Sequence, residues 1–356
     1  MVIGILSILL ICMAFSFIEE NMKKNDVLMI VGMIGITMII IAGSRSPYDT
    51  PDSDNYEIMY YSINSLDDDI REPSMVYISY YLNALGLGVN ALFFVYAALS
   101  IPLRLSAICK LSPLPILTLS VYISYFYQLH DLMQIRCAVA SALFLFALYF
   151  RAEKKWWYAL LLILLGSLFH YSALAGLVIF FFSNKELKMW ERIVFASVVP
   201  LAMLFYFFGF DYSYFIPDEL GGDRLAAYRE LKEKGKEDAL TWIFYKNPVF
   251  LLTVVLYYGC LIYYNIIAKN YKYLPIMLKT LSFAFFCMLT LNTLSGVLAS
   301  RLYEYFAIVS IFLWTAAGYA FRPLSYGKAL INFVIVIQCL ANVFVFTLGW
   351  YGSHMK

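Results

Sequence analysis

The chain has 356 residues, of which 62% are hydrophobic and 14% are charged, with a mean hydropathy of +0.74 and a net charge of +2. A soluble domain is about half apolar and about a quarter charged, so this composition excludes an ordinary soluble protein. Apolar runs recur as solid blocks, and not as the alternating short segments of a membrane β-barrel. The net charge says little about partners, and no nucleic acid is expected among them.

Twelve apolar runs predict helices that cross or enter a bilayer, for which about 20 residues are needed. The prediction is an all-α polytopic transmembrane protein with about 11–12 spans, forming a single integral membrane domain over residues 1–356. In chain order the spans are predicted at about 2–18, 27–43, 86–103, 113–129, 133–150, 156–169, 172–183, 193–210, 247–267, 274–291, 303–320 and 329–350.

The short loops predict the orientation, because Lys and Arg accumulate on the cytoplasmic side. "RLSAICK" (104–110) and "RAEKK" (151–155) are therefore expected inside. Residues 44–73 hold eight acids against two arginines, and the segment 44–85 is expected to be an outward acidic loop. It would end in a tyrosine-rich helix at 73–85 lying at the membrane interface. "QLHDLMQIR" (128–136) is also expected to face outward.

Residues 156–182 allow two interpretations, because one apolar stretch is interrupted only by "HYS" at 170–172. A single tilted helix would place a histidine in mid-bilayer, which is costly. Two short helices avoid that cost and are preferred. This choice predicts a second outward loop at 211–246 and places Arg301 on the outward side.

Ionisable and polar residues near the outward ends of the spans are the candidate site, because hydrocarbon penalises charge. The set consists of Arg45, Asp49, Asp52, Asp54, Tyr56, His130, Gln134, Arg136, His170, Arg301 and Glu304.

Each residue type in this set suggests its own chemistry. Guanidinium groups match phosphate oxygens in pairs, so Arg45, Arg136 and Arg301 together suit a diphosphate, although each alone could be an interface anchor. His170 could act as a general base or be a packed interface residue, and His130 has the same alternatives.

The acidic loop also leaves alternatives open. Asp52 and Asp54 form a DxD pair, for which hydrogen bonds to sugar hydroxyls or a solvated surface are preferred over a metal site. Aromatic rings such as Tyr56 beside carboxylates are typical of carbohydrate binding, which could also use Asp49, Gln134, His130 and Glu304. No metal and no cofactor is predicted.

Four motifs, in this order and spacing, resemble those of a known family. They are "AGSRSPYDTPDSDNYEIMY", "LMQIRCAVASALFLFALYF", "SLFHYSALAGL" and "SGVLASRLYEYF". The chain resembles the EpsG/Wzy family of bacterial polysaccharide polymerases, which make O-antigen, capsule or exopolysaccharide. The matched positions are Arg45, Gln134, Arg136, His170 and Arg301. The extra acids of "YDTPDSDNY" leave open which aspartate matches the family's.

The resemblance implies a multi-pass glycosyltransferase of the bacterial inner (plasma) membrane, similar to the C-type transferases. It would join polyprenyl-diphosphate-linked repeat units on the periplasmic side, with inversion at the anomeric carbon. His170, Asp52, Asp54, Arg136 and Arg301 would be catalytic. The implied partners are the lipid-linked glycan donor and acceptor, the bilayer and a chain-length regulator protein.

Three other functions are compatible with many spans and outward arginines. A flippase for lipid-linked oligosaccharide should place charges near the midplane and show paired halves, and neither is evident here. A polysaccharide ligase could use the same residues. A membrane acyltransferase is less favoured, because it would give the arginines no role.

Overall fold

The computed structural model describes residues 1–50, 52–66, 72–208, 247–292 and 295–343. These residues are almost entirely helical, and no strand occurs among them. The prediction of an all-α fold is therefore confirmed. The outward loop predicted at 211–246 lies outside the described residues.

Ten helices lie among the described residues up to 181, in about the first half of the chain. They are α1 (Val2–Ser16), α2 (Lys24–Gly43), α3 (Ser53–Ser62), α4 (Pro73–Ala84), α5 (Val89–Leu111), α6 (Pro115–Ser124), a π-helical segment (Tyr127–Met133), α7 (Ile135–Ala152), α8 (Trp156–Ser167) and a 3₁₀ helix (Tyr171–Phe181). A 3₁₀ turn at Glu19–Asn21 joins the first two.

The remaining helices follow after residue 188. They are α9 (Met189–Phe207), α10 (Pro248–Ile262), α11 (Tyr264–Ile267), α12 (Leu274–Leu291), α13 (Gly296–Ala307), α14 (Ser310–Ala317), a 3₁₀ turn (Gly318–Ala320) and α15 (Leu324–Asn342).

Six of the described helices are long and apolar enough to cross a membrane, and α13 with the helix after it forms a bent pair that would make a seventh. Five shorter apolar helices of 10–17 residues accompany them. Each of the twelve predicted spans overlaps one of these helices or the bent pair. The chain is a polytopic helical membrane protein.

The chain divides into two compact units, Met1–Phe180 with Trp314–Lys356, and Phe181–Leu313. The single membrane domain over residues 1–356 stays a prediction. In the second unit, the Lys279 ammonium on α12 donates to the carbonyl of Ser183 at 2.8 Å. Phe250, Phe285 and Tyr303 pack there as an aromatic cluster with ring centroids 5.3–6.1 Å apart.

In the first unit, α5 and α7 run in the same direction. Arg104 of α5 donates to the carbonyl of Ala138 on α7, and further along both helices the Lys110 ammonium lies 5.5 Å from the centre of the Tyr149 ring. One return passage must therefore connect them. It consists of α6 and the π-helical segment, as the predicted span at 113–129 requires.

Two segments differ from the sequence expectation. "RLSAICK" (104–110) was expected to be a loop, but it forms the last two turns of α5, and its arginine is fully buried. Residues 128–136 were expected to be an outward link, but Gln128–Met133 belong to the π-helical segment in the interior of the unit. In both cases buried partners on neighbouring helices compensate polar side chains, which hydropathy alone cannot show.

Residues 156–181 form a hairpin of two short helices, so the preferred interpretation of this stretch is correct. His170 lies near Arg136 at one end of α7, through the carboxylate that both contact. Arg151, near the other end of α7, donates to the carbonyl groups of Ile179 and Phe180. About 22 Å of helix separates residues 136 and 151. The chain therefore runs along α8 from the Arg151 end of α7 to the Arg136 end, and after residue 170 it runs back to the Arg151 end.

Gly166 permits the close packing of this hairpin. A Cβ at this position would lie 3.3 Å from the Cβ of Ala173 in the returning helix and 3.7 Å from the carbonyl oxygen of Ala140 on α7. Because Gly166 has no side chain, α8, the returning 3₁₀ helix and α7 can pack closely together next to the turn that carries His170.

A buried carboxylate fixes the start of α6. Glu19 is 5% exposed and accepts hydrogen bonds from the backbone N–H groups of Ile116 at 2.8 Å and Leu117 at 3.3 Å. These N–H groups belong to the first turn of the helix, where they lack partners within the helix. The contact joins the segment between α1 and α2 to the base of α6.

This carboxylate predicts a pH-dependent stability. Burial raises the pKa of Glu19 from 4.5 to about 7, although the two N–H groups and Lys328 oppose the shift. Because the folded state then holds this proton more tightly than the unfolded state, stability should fall as the pH rises from about 4.5 to above 7. Glu19→Gln should flatten that slope in thermal unfolding of the detergent-solubilised protein. Glu20→Gln, at the exposed neighbour, should not, and an unchanged slope in Glu19→Gln would contradict the assignment.

Candidate active site

A single buried carboxylate, Glu72, organises the candidate site. Its backbone is extended (φ −61°, ψ 140°), and Pro73 directly after it is the first residue of α4, a position that proline favours. The side chain therefore lies at the N-terminal end of a helix, where the helix dipole favours negative charge. Glu72 is 1% exposed.

Arg136 is the cationic partner of this carboxylate. It is the second residue of α7, and its Nη1 donates to Oε2 of Glu72. The guanidinium carbon also lies 5.5 Å from the centre of the Tyr56 ring on α3. A planar guanidinium held by a carboxylate and an aromatic ring has a fixed orientation.

His170, in the turn of the hairpin, is the second partner. Its Nδ1 lies 3.2 Å from Oε1 of Glu72, the oxygen not used by Arg136. An ionised carboxylate can only accept, so the hydrogen is assigned to Nδ1. In the neutral imidazole this leaves Nε2 as the acceptor, which is the form that a general base requires.

The three side chains differ in their exposure to solvent, and only two of them can be reached by a ligand. The side chains of Arg136 and His170 are 20% and 19% exposed, whereas that of Glu72 is 2% exposed. The carboxylate is therefore sealed behind two groups that a ligand could reach.

The surrounding contacts hold this arrangement in place. Ser74 on α4 donates its backbone N–H to the carbonyl of Leu168 at 3.0 Å, which ties the start of that helix to the hairpin turn. The hydroxyl groups of Ser74 and Tyr96 lie 2.9 Å apart, and the Tyr96 ring packs edge-on against Phe169. The site is therefore supported from α4, α5 and the turn.

The two partners keep Glu72 ionised. Burial would raise the pKa of Glu72, but the hydrogen bond from His170 and the charge of Arg136 outweigh it and lower the pKa from 4.5 to about 2. The resulting stabilisation is complete above pH about 4.5 and is lost as the pH falls towards 2. Glu72 therefore stays charged throughout the neutral range.

Arg45 lies deeper, just after the end of α2. It is 2% exposed, its guanidinium carbon sits 3.8 Å above the Phe93 ring, and its Nε donates to Ser53 Oγ at 3.3 Å. Burial lowers the pKa of Arg45 to about 10, so it remains cationic at neutral pH. Tyr56 interacts electrostatically with both Arg45 and Arg136, so its phenol lies near both arginines.

The acidic loop lies at the rim, where its side chains are partly exposed. Asp49 accepts from the backbone N–H of Ser46 at 2.9 Å, Asp52 directly precedes α3, and Asp54 accepts from the N–H of Asn55 at 2.8 Å. Among the described residues no group of three or more His, Cys, Asp or Glu side chains could hold a metal ion.

The other candidate residues lie elsewhere. His130 and Gln134 are buried, and His130 Nδ1 lies 3.2 Å from Ser141 Oγ. Arg301 and Glu304 are half-buried on α13, in the second unit. Their convergence with His170 stays a prediction.

Sequence reasoning did not single out Glu72, which it counted only among the eight acids of the outward loop. The available signal was local: a carboxylate directly before a proline that opens an amphipathic helix is placed by the chain, unlike the acids of a solvated loop.

The comparison with protein families gives one result. A family model described as "EpsG family" matches residues 28–353, nearly the whole chain. No curated protein and no solved structure matches the chain. The matched region contains all the candidate residues above.

Proposed function

The chain belongs to the EpsG family, and from that premise we propose that it joins polyprenyl-diphosphate-linked oligosaccharide units by inverting glycosyl transfer. The family supports a polysaccharide polymerase in general. The lipid-linked donor, the stereochemistry and the periplasmic side are our proposals. The observation that carries them is the Glu72 carboxylate shared between Arg136 and His170.

His170 is the proposed general base. Its Nδ1 is held by Glu72, so Nε2 can accept the proton of the acceptor hydroxyl, and the carboxylate stabilises the imidazolium that forms. Asp52, directly before α3, and Asp54, in the first turn of α3, would bind acceptor hydroxyls, and one of them could assist in deprotonation.

Arg136 is the proposed anchor for the donor diphosphate. Its Nε has no hydrogen-bond partner among the described residues, and the side chain is 20% exposed, so a phosphate oxygen could reach part of the guanidinium. Arg45, whose Nη2 is likewise unpartnered among those residues, would complete the anion site, and a contribution of Arg301 stays a prediction from the sequence. Charge-assisted hydrogen bonds of this kind stabilise the negative charge that develops on the leaving group.

The bond changes balance without a cofactor. The acceptor hydroxyl oxygen bonds to the anomeric carbon of the donor, and the bond from that carbon to the phosphate oxygen breaks. Its electron pair leaves with the lipid diphosphate, and the hydroxyl proton passes to His170. A single displacement inverts the anomeric centre. Asp49 and Tyr56 are proposed to bind the sugars, and a sugar-binding role of Gln134, His130 and Glu304 stays a prediction from the sequence.

The proposal is tested with purified protein in detergent or nanodiscs and a lipid-diphosphate-linked repeat unit as the only sugar source. We expect longer glycans to form without any nucleotide sugar, and nuclear magnetic resonance of the product to show inversion at the new linkage. A chelator should leave the rate unchanged, because arginines would neutralise the leaving group.

The same assay can also contradict the proposed mechanism. Elongation that requires a nucleotide sugar, or retention at the anomeric carbon, would contradict the mechanism. Activity that disappears with chelator and returns with Mg²⁺ or Mn²⁺ would instead assign Asp52 and Asp54 to a metal site.

A further inference from the structure

A second polar network lies inside the first unit and is not part of the site described above. It contains two residues of opposite charge, Arg104 on α5, which is fully buried, and Asp131 in the π-helical segment, which is 2% exposed. Charges in the interior of a membrane protein are costly, and those that occur there generally have partners and a role.

Arg104 binds the helix that carries Arg136. Its Nη2 donates to the carbonyl of Ala138 at 2.7 Å and to Ser141 Oγ at 2.9 Å, both on α7. Its Nε and Nη1 have no hydrogen-bond partner among the described residues. The guanidinium is thus anchored through one nitrogen, and its other two nitrogens are buried without a partner among the described residues.

Asp131 is bound from two helices. It accepts from Ser100 Oγ on α5 at 2.5 Å and from the Tyr122 hydroxyl on α6. The Tyr122 ring centre also lies 5.2 Å from the guanidinium carbon of Arg104. The two charges therefore share one tyrosine, and no ion pair joins them directly among the described contacts.

The network fixes the π-helical segment on several sides. Besides the bonds of Asp131, the Tyr127 hydroxyl donates to the carbonyl of Met38 on α2 at 2.8 Å. Thr50 Oγ1 donates to the carbonyl of Leu132 at 3.1 Å and lies 2.6 Å from Ser53 Oγ, which accepts from Arg45. Gln134 then ends the segment and begins α7.

We propose that Arg104 and Asp131 are positioning residues that brace the π-helical segment and thereby set the place of Arg45 on one side and Arg136 on the other. Such segments are rare and often lie at functional sites. The catalytic consequence rests on the proposed function, whereas the bracing of α7 does not.

Single and double variants of Arg104 and Asp131 distinguish a positioning role from a mere need to balance two buried charges. Arg104→Met alone or Asp131→Asn alone leaves one buried charge uncompensated, so each should lower the thermal unfolding midpoint. The double variant removes both charges and should recover most of that loss. Its turnover should nevertheless stay about 100-fold below wild type, because misplacement of reacting groups by about 1 Å has an effect of this size.

A native thiol supplies a readout that does not depend on activity. Cys137 follows Arg136 directly and is 5% exposed. In the double variant we expect N-ethylmaleimide to modify Cys137, located by mass spectrometry, much faster than in wild type. Cys260, which is fully buried, should stay unreacted. Tyr122→Phe keeps the ring but removes the bond to Asp131, and it should show both effects more weakly.

The control pair is Lys328→Met with Glu20→Gln, which removes another charge pair of the same unit, 2.9 Å apart. It should leave turnover and Cys137 protection unchanged. If the Arg104/Asp131 double variant keeps wild-type turnover and Cys137 protection, the bracing role is wrong. If Cys137 becomes reactive while wild type itself transfers no sugar, the brace stands and the proposed function fails.

Discussion

Replacing His170 by alanine is expected to lower the polymerisation rate about 10²–10⁴-fold, the range that a positioned general base contributes. Binding of the lipid-linked donor should stay nearly unchanged, because the arginines and not the imidazole would hold the diphosphate. The rate is measured by gel analysis of glycans formed from purified substrate, and donor binding by titration with a substrate analogue.

A second substitution distinguishes a general-base role of His170 from a purely structural role. His170→Gln keeps an N–H donor that can reach Glu72, but an amide cannot take the acceptor proton. If it is as inactive as the alanine variant, the imidazole acts chemically. Ser167→Ala is the matched control, since its hydroxyl only donates to the carbonyl of Leu164 in the same hairpin. A glutamine variant with near-normal turnover would refute the base assignment.

Arg136→Lys is expected to lower the polymerisation rate about tenfold to about 100-fold, because losing one charge-assisted hydrogen bond costs about 1.5–3 kcal/mol. An ammonium can remain near Glu72, so the protein should still fold and insert. What lysine lacks is the planar fork that can bind a carboxylate and a phosphate at once.

Removing the charge entirely should give a different result. Arg136→Ala leaves the buried Glu72 carboxylate without its cationic partner, and breaking a buried pair costs about 3–5 kcal/mol. We therefore expect Arg136→Ala to lose stability as well as activity, and Arg136→Ala with Glu72→Gln to regain stability but not activity. If Arg136→Lys makes long polymer at the normal rate, the diphosphate role is wrong.

Hydropathy was sufficient to locate the helices, because apolar runs of sufficient length have few alternatives in a bilayer. It ended α5 at residue 103, whereas the helix continues to Leu111. The reason is Arg104: a charge lowers the hydropathy of its window, but its partners Ala138 and Ser141 lie 34 and 37 residues away. No local pattern can anticipate that compensation.

In the candidate site, too, some residues were predictable from the sequence and others were not. The sequence indicated Arg136 and His170 by type and position, and the structure brings them to one carboxylate. The sequence did not indicate Glu72, because the role of this carboxylate depends on contacts with two residues that are 64 and 98 positions away in the chain. The π-helical segment was likewise expected to be an exposed link, since His130 and Asp131 are polar residues whose buried partners the sequence does not reveal.

The sharing of one carboxylate by two partners determines how charge is distributed during the proposed reaction. With the imidazole in its neutral base form, the charges of Glu72 and Arg136 cancel, so these three groups together carry no net charge before substrate binds. Proton transfer to His170 then creates one positive charge at the same moment as the departing lipid diphosphate gains one negative charge. The two form a local ion pair within the site, so no ion needs to enter from solvent to complete the step.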